Sequence, residues 1–259
     1  MIRLSQGHLK VLETCPRKFE YIYFDRLTLP ISPEQQLKMQ WGKQFHLLMQ
    51  QRELGLPIAP FLEQSPRLNN MVNAIVDTAP ELFSSQTQSW RQAEHVRTLA
   101  IDNYLLTVIY DLLILNTKQA YIIDWKTYPL PKRQAELAKD WQTRLYLYLL
   151  AETSEYLPKQ ISFTYWFIQS EPRPQSLVFR YNLRQHRQTQ KDLSELLERL
   201  QQWLDKYRDR GESFPQLPIS SAACGSCNFA HRCERQGTSL VSQRHLPQSL
   251  EQIPEISLA

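Results

Sequence analysis

The sequence predicts a mixed α/β fold, a small central mixed β-sheet flanked by helices, and three observations carry it. The apolar period changes from about 3.6 to about 2 on reaching Arg91, the change expected where helices give way to strands. A long amphipathic stretch closes the pattern, with Leu193, Leu196, Leu197, Leu200, Leu204 and Tyr207 recurring at helical spacing. The chain of 259 residues is long enough to bury a core, and 42% hydrophobic and 22% charged residues with 6 Gly exclude collagen-like and low-complexity classes.

The elements follow in order. Ser5 is placed to cap a first helix carrying Leu9 and Leu12, and Cys15-Pro16 breaks it, because the residue before a proline is pushed out of the helical region. Apolar and aromatic residues from Phe19 to Phe24 come next. Ser32, Pro33 and Gln35 announce a second helix with an N-cap serine, a first-position proline and a capping-box glutamine. Its apolar face is Leu37, Trp41, Phe45 and Leu48; His46 lies on an adjacent face one turn after Gly42, whose missing side chain lets another element come close. Residues 55–90 read as a loop and one helical stretch. Strands are expected over about 91–101, 104–115 and 120–127, a helix over about 132–152, strands near 160–169 and 177–183, then the long helix. The cysteine-rich segment 215–235 reads as an appendage pinned to the N-terminus, and the chain after Gln236 as a polar tail.

Charge decides little: 30 Lys+Arg against 26 Asp+Glu leave +4, enough to favour polyanions only if clustered. The apolar run from Leu105 to Leu115 is interrupted by Asp111 and falls well short of the roughly 20 residues of a membrane span. No basic segment followed by an apolar stretch and a cleavage site opens the chain, so the expected compartment is the cytoplasm, without a membrane partner. Four cysteines are too few for a disulfide scaffold; Cys224, Cys227 and Cys233 form C-x2-C-x5-C, with Cys15 far upstream, which suits a metal site.

The most informative residue is Asp111. An ionised carboxylate inside an apolar strand is costly unless a cation or strong donors meet it. On the next strand Asp124 and Lys126 share one face, and Ile123 and Trp125 the other. A turn over Asn116 to Gln119 with an even number of residues, centred between Thr117 and Lys118, would set Asp111 directly opposite Asp124, with Cβ atoms about 5 Å apart, a like-charge pair that is normally destabilising, whereas a three-residue loop would shift the register. A divalent cation between them removes that penalty using the hard oxygen ligands Mg²⁺ prefers. Lys126, about 7 Å along the same face, can orient a phosphate or the attacking water, a set suited to phosphodiester hydrolysis. A solvated hairpin with ordinary ion pairing would use the same residues. Gln142 and Tyr146, at i and i+4, share a helix face that can reach this site or can simply flank a Leu145–Leu149 core stripe. Glu94, in the preceding strand, can reach the same face.

Together these residues resemble the PD-(D/E)XK nuclease superfamily, specifically the RecB-type branch that includes the AddB nuclease and the CRISPR-associated iron-sulfur exonucleases. The resemblance runs over Leu4-Ser5 through Cys15-Pro16-Arg17-Lys18-Phe19, Gly42 and His46, Asp111, Ile123 to Thr127, Gln142 with Tyr146, and the terminal cysteine triplet. It implies a restriction-endonuclease-like core in which His46, Asp111 and Asp124 hold Mg²⁺ or Mn²⁺, with the Trp125 backbone carbonyl as a further ligand and Lys126 serving the attacking water. Gln142 and Tyr146 would be the branch's Q-x3-Y pair, which contacts substrate and supports Lys126, and Glu94 would match a first-strand acidic position. Val108 stands where a glycine is frequent, and Leu112-Leu113 replace a frequent basic residue.

The same resemblance implies that Cys15, Cys224, Cys227 and Cys233 hold a [4Fe-4S] cluster; zinc, on four cysteines or on three with His231, is the rival occupant, either of them structural. Joining Cys15 to Cys224 closes a loop of roughly 210 residues, a large constraint on the chain. The implied activity is a metal-dependent DNA nuclease, an exonuclease on single-stranded or end-exposed DNA, in repair, recombination or CRISPR adaptation, with a helicase or a CRISPR-adaptation protein as possible partner. The alternatives are a catalytically silent DNA-binding scaffold subunit and a zinc-stapled interaction protein. Arg17, Lys18, Lys132, Arg133, Arg144, Arg184 and Arg187 are the basic residues that could track a DNA backbone. The expected organisation is one nuclease domain over 1–236, with a helical region over 1–90, a core over 91–210 and a cysteine-rich segment over 211–236, followed by the tail 237–259.

Overall fold

In the computed structural model, which describes residues 1–28, 31–83, 89–131 and 134–235, the chain opens with a three-residue strand, β1 (Ile2–Leu4). Helix α1 (Gln6–Thr14) follows, with Ser5 extended at its N-cap and the Ser5 N–H donated to His8 Nδ1 at 3.1 Å. Pro16 ends α1 as expected, and it also takes the first position of another helix, α2 (Pro16–Tyr23), where its missing N–H costs nothing. Helix α3 (Pro33–Glu53) starts on the predicted box: the Gln35 N–H donates to Ser32 Oγ at 3.2 Å and the Ser32 N–H to Gln35 Oε1 at 3.3 Å. Only its second half is covered. Phe45, Leu48 and Met49 are buried, while Leu37 is exposed and Trp41 partly so. Residues 55–90 hold two helices where one was expected, α4 (Ala59–Glu63) and α5 (Pro66–Thr78).

Strands β2 (Trp90–Ile101), β3 (Tyr104–Leu115) and β4 (Ala120–Lys126) lie close to their predicted ranges. The single helix expected over 132–152 is instead two, α6 (Gln134–Leu137) and α7 (Trp141–Glu152). Asp140 separates them: it is extended, and its carboxylate accepts the Gln142 N–H at 2.9 Å, an N-cap that restarts the helix. Strands β5 (Ile161–Phe167) and β6 (Gln175–Arg180) and helix α8 (Leu183–Arg210) follow, α8 ending on left-handed Gly211, and two 3-10 turns, Ala222–Cys224 and His231–Cys233, carry the cysteine-rich segment.

The six strands form one mixed sheet in the order β1-β3-β4-β5-β6, with β2 also paired to β3. β1–β3 and β4–β5 are parallel, the other pairs antiparallel. Alternation sends Ile122, Phe163, Tyr165 and Phe167 into a core shared with α1, α2, α7 and α8, and Leu112, Ile123 and Trp125 into a second core shared with α3 and α5. The fold is therefore helix, sheet, helix, as predicted. Among the described residues no helix is long and apolar enough to cross a membrane. The tail 237–259 lies outside the described residues.

Candidate active site

The site begins at a fork in the sheet. β2 pairs with β3 over most of its length, but on the other edge β1 reaches only Tyr104 to Leu106 and β4 only Leu112 to Leu115. The β3–β4 turn has the even length expected, with Asn116 Oδ1 accepting the N–H groups of Lys118 and Gln119 at 2.9 and 2.8 Å. The register follows, through Leu112 opposite Ile123. There the ladder stops, one pair short of the expected Asp111–Asp124 rung. The Asp111 carboxylate turns across instead, its Oδ2 accepting the Trp125 N–H at 2.7 Å.

Asp111 also marks a change of phase. From Tyr104 to Tyr110 the even residues of β3 face the α7 core; beyond Asp111, Leu113 faces that core and Leu112 and Ile114 face the α3 core. Opposite Asp111, between the pairs Ala93–Leu112 and His95–Tyr110, stands Glu94 with φ +50. A left-handed residue in a strand re-aims its neighbours, so the reversal has a local cause. At this point residues from both helical layers meet.

From the α3 layer comes His46, whose Nδ1 is 3.2 Å from Asp111 Oδ1. Ligand atoms of His46, Glu94 and Asp111 all lie within 4.8 Å of one another. Close approach of α3 depends on Gly42: a Cβ there would sit 3.2 Å from Thr127 Oγ1, just past the end of β4. From the α7 layer comes Gln142, which bridges the other two predicted residues. Its Nε2 donates to Asp124 Oδ2 at 2.6 Å and its Oε1 accepts from Lys126 Nζ at 2.9 Å, the one amide orientation that serves a carboxylate and an ammonium together. Lys126 Nζ lies 2.5 Å from Asp124 Oδ1 and 5.0 Å from the centre of the Tyr165 ring. Tyr146, on the same face of α7, lines the cleft with Gly42, Lys43, His46, Glu94 and Asp111. Trp125 contributes its backbone; its indole is in the α3 core, stacked on Phe83.

The charges here are mutually strained. Asp124 is 2% exposed, and burial followed by the Asp111 charge pushes its pKa up to about 7, against the pull of Lys126. Burial, then Asp111, also raises Glu94. For His46 and Lys126 burial acts downward, but the carboxylates outweigh it and both are held above their ordinary values. Tyr146 is raised by burial and by both aspartates, so it remains a neutral phenol. Asp124 Oδ1 is buried without an aligned hydrogen-bond donor despite the nearby ammonium. The carboxylates of Glu94 and Asp111 with the His46 imidazole form a hard O/N donor set that fits a divalent ion such as Mg²⁺ or Mn²⁺; Asp124 is outside that group, its Oδ1 facing the Lys126 ammonium.

The four cysteines are in a separate place and line one small cavity with Lys18, Phe229 and Arg235. The segment that carries three of them is tied to α2: Arg17 Nε donates to the Phe214 carbonyl at 2.6 Å, the Phe214 N–H donates to Glu20, and Tyr21 packs on Phe229 at 5.4 Å. Cys15, Cys224, Cys227 and Cys233 thus come together from both ends of the described chain, a donor set that fits an iron-sulfur cluster or zinc.

The basic residues are divided. Arg17 is occupied by Phe214, and Arg144 pairs with Asp192 at 2.5 Å over the Trp141 ring, so neither is a free backbone contact. Arg184 and Arg187 are exposed on α8, Lys18 belongs to the cysteine cavity, and Lys132 and Arg133 lie outside the described residues. Sequence reasoning missed Asp140, Lys10, Glu13 and Lys43. Asp140 alone carried a signal, an N-cap residue directly before an apolar helical run.

A mixed sheet flanked by helices and forked at a buried Asp-x-Lys, with an acid facing it, defines the class, a restriction-endonuclease-like core. A sequence model of the PD-(D/E)XK nuclease superfamily matches residues 3–234, and the chain belongs to that superfamily. Among solved structures, a candidate exonuclease from Eubacterium rectale shares the fold with TM-score 0.52 at 10% identity, over 89% of this chain and 87% of that one. The protein SSO0001 is 11% identical over 91% of this chain and 87% of that one, with TM-score 0.38, too loose to carry an argument. No curated protein matches the chain in sequence.

Proposed function

We propose that the chain is a metal-dependent deoxyribonuclease, an exonuclease on single-stranded or end-exposed DNA, built as one nuclease domain over 1–236. The observation that carries the reading is the Gln142 amide holding Asp124 and Lys126 together beside the His46, Glu94 and Asp111 cluster. His46, Asp111, Asp124 and the Trp125 carbonyl would hold Mg²⁺ or Mn²⁺, with Glu94 in reach. Held there, the ion would supply charge stabilisation as negative charge builds on the phosphate oxygens. Lys126 orients the water that attacks phosphorus, and Gln142 fixes the ammonium so that no rotamer search precedes attack. Tyr146, a neutral phenol in the cleft, donates a hydrogen bond to a phosphate oxygen. The resemblance to RecB-type enzymes supports the DNA-end preference and a helicase or CRISPR-adaptation partner.

The cysteine site is read as a [4Fe-4S] staple. The reading is supported by Cys15, Cys224, Cys227 and Cys233 lining one cavity, since four thiolates are the usual ligation of such a cluster.

The test is cleavage of end-labelled single- and double-stranded DNA by anaerobically purified protein with Mn²⁺, Mg²⁺ or EDTA, beside Lys126→Ala and Asp124→Ala. Metal-dependent cutting lost in both variants supports the reading, and the ladder gives the polarity. A wild type that binds DNA and cuts nothing with either metal refutes it.

A further inference from the structure

Three side chains of α1 at i, i+4 and i+7 form one stripe along that helix, and each meets the active-site end of α7. Gln6 Nε2 donates to Tyr146 Oη at 3.4 Å, Lys10 Nζ meets Asp140 Oδ2 at 2.5 Å, and Glu13 Oε2 accepts the Trp141 Nε1–H at 2.9 Å. These contacts bracket Gln142. Asp140, just before it, uses its other oxygen to accept the Gln142 N–H. Trp141 is 1% exposed, so its indole N–H needs a partner, and Glu13 supplies it. At the far end of α1 stands Cys15, the joint of two helices: its N–H donates to the Val11 carbonyl at 2.9 Å and its own carbonyl accepts the Phe19 N–H at 3.1 Å.

We propose that α1 is a positioning strut, in which Gln6, Lys10 and Glu13 set Gln142 and through it Lys126, from a joint fixed at Cys15 by the cysteine site. Its consequence for rate rests on the nuclease reading above. The Lys10 side chain is 62% exposed, so its ion pair contributes little to stability, and its removal is felt in geometry. A shift of about 1 Å at a reacting group is enough to cost a large factor in rate. Ligation of Cys15 fixes the end of α1 that is farthest from β1; freeing it lets the strut pivot.

The experiment pairs single-turnover DNA cleavage with amide hydrogen exchange over 140–146, on full-length anaerobically purified protein. Glu13→Ala and Lys10→Ala are expected to lower the cleavage rate about 10- to 100-fold, with Mn²⁺ affinity and the metal content of the cysteine site unchanged. Glu13→Gln keeps an acceptor for the indole and restores the rate. Cys15→Ser is expected to speed exchange over 140–146 in the absence of DNA and Mn²⁺. Glu13→Ala, with all four cysteines in place, is expected to do the same while leaving 15–24 protected. Wild-type rates in both alanine variants, or unchanged exchange over 140–146 in Glu13→Ala, overturn the strut. A wild type that cuts nothing sinks the nuclease reading, while exchange still decides the strut.

Discussion

Asp111 Oδ2 accepts the Trp125 N–H at 2.7 Å at the rung where the β3–β4 ladder would otherwise pair Asp111 with Asp124. One carboxylate therefore does two jobs, replacing a backbone acceptor with one oxygen and facing His46 with the other. The two can be separated by substitution. Asp111→Asn keeps an acceptor and removes the charge that strains Asp124 and Glu94, so in EDTA it should unfold at an equal or higher urea concentration than wild type. Asp111→Ala orphans the Trp125 N–H and should cost about 1–3 kcal/mol. Both should lose the Mn²⁺-induced rise in melting temperature, and an Asn variant that keeps that rise would remove Asp111 from the metal site.

Stability without metal should fall as pH rises. The folded pKa of Asp124 is raised to about 7 from an ordinary 3.8, so between those values the folded state holds a proton that the unfolded state has released. Its favourable contribution is complete below the unfolded pKa and is lost as pH climbs through the folded one. Glu94 and His46, both raised, act in the same sense, His46 from 6.5 upward. Urea midpoints in EDTA should therefore decline from pH 5 to pH 8, less steeply in Asp124→Asn, and added Mn²⁺ should flatten the wild-type slope. A wild-type slope matching that of Asp124→Asn would sink the account.

Gln142 can be tested by charge. Gln142→Leu strips Asp124 Oδ2 and Lys126 of their shared partner and should lower the cleavage rate about 10- to 100-fold. Gln142→Glu places a carboxylate where the amide donated at 2.6 Å, forcing two acids to share a proton. Its rate should fall further than that of the leucine variant and recover partly at lower pH, where the pair is protonated. A pH profile parallel to wild type would show that Gln142 does not face Asp124 during turnover.

Much of this site was legible because the hairpin is regular. Asn116 at a turn of even length fixes the register, and Asp124, Lys126, Gln142 and Tyr146 follow from periods of two and four. The rung at Asp111 was not legible, because a single left-handed residue, Glu94, reverses the alternation and glutamate carries no signature for that conformation. β1 is too short for periodicity, and α2 was hidden because Pro16 reads equally well as a stop or a start. The break at Asp140 was masked by a run of good helix formers on both sides. Contacts of α1 with α7 join residues more than a hundred positions apart, which no local pattern encodes.

The cysteine site should be a single unit. Because Cys15 and the triplet line one cavity, Cys15→Ala and Cys227→Ala should lose the same bound metal and lower the melting temperature by similar amounts, as expected if one group closes the long loop. Iron, sulfide and zinc analysis of anaerobically purified protein names the occupant: iron with acid-labile sulfide for the cluster, zinc alone for the rival. Retention of full metal by Cys15→Ala would detach the N-terminus from the site.

Gly42 sets how closely α3 approaches the end of β4, and so where His46, one turn on, stands relative to Asp111. Alanine at Gly42 improves helix propensity by about 1 kcal/mol but brings a Cβ to 3.2 Å from Thr127 Oγ1. The hydroxyl must give by a few tenths of an ångström, either by a turn about the Thr127 Cα–Cβ bond or by α3 moving outward, and the second opens the distance from His46 to Asp111. Gly42→Ala should therefore be at least as stable as wild type yet bind Mn²⁺ more weakly by calorimetry. Thr127→Ala removes the obstructing oxygen, so the double variant should recover the affinity, a coupling between two residues that touch no metal. If Gly42→Ala binds Mn²⁺ as wild type does, the close approach is packing alone and His46 is positioned by other contacts.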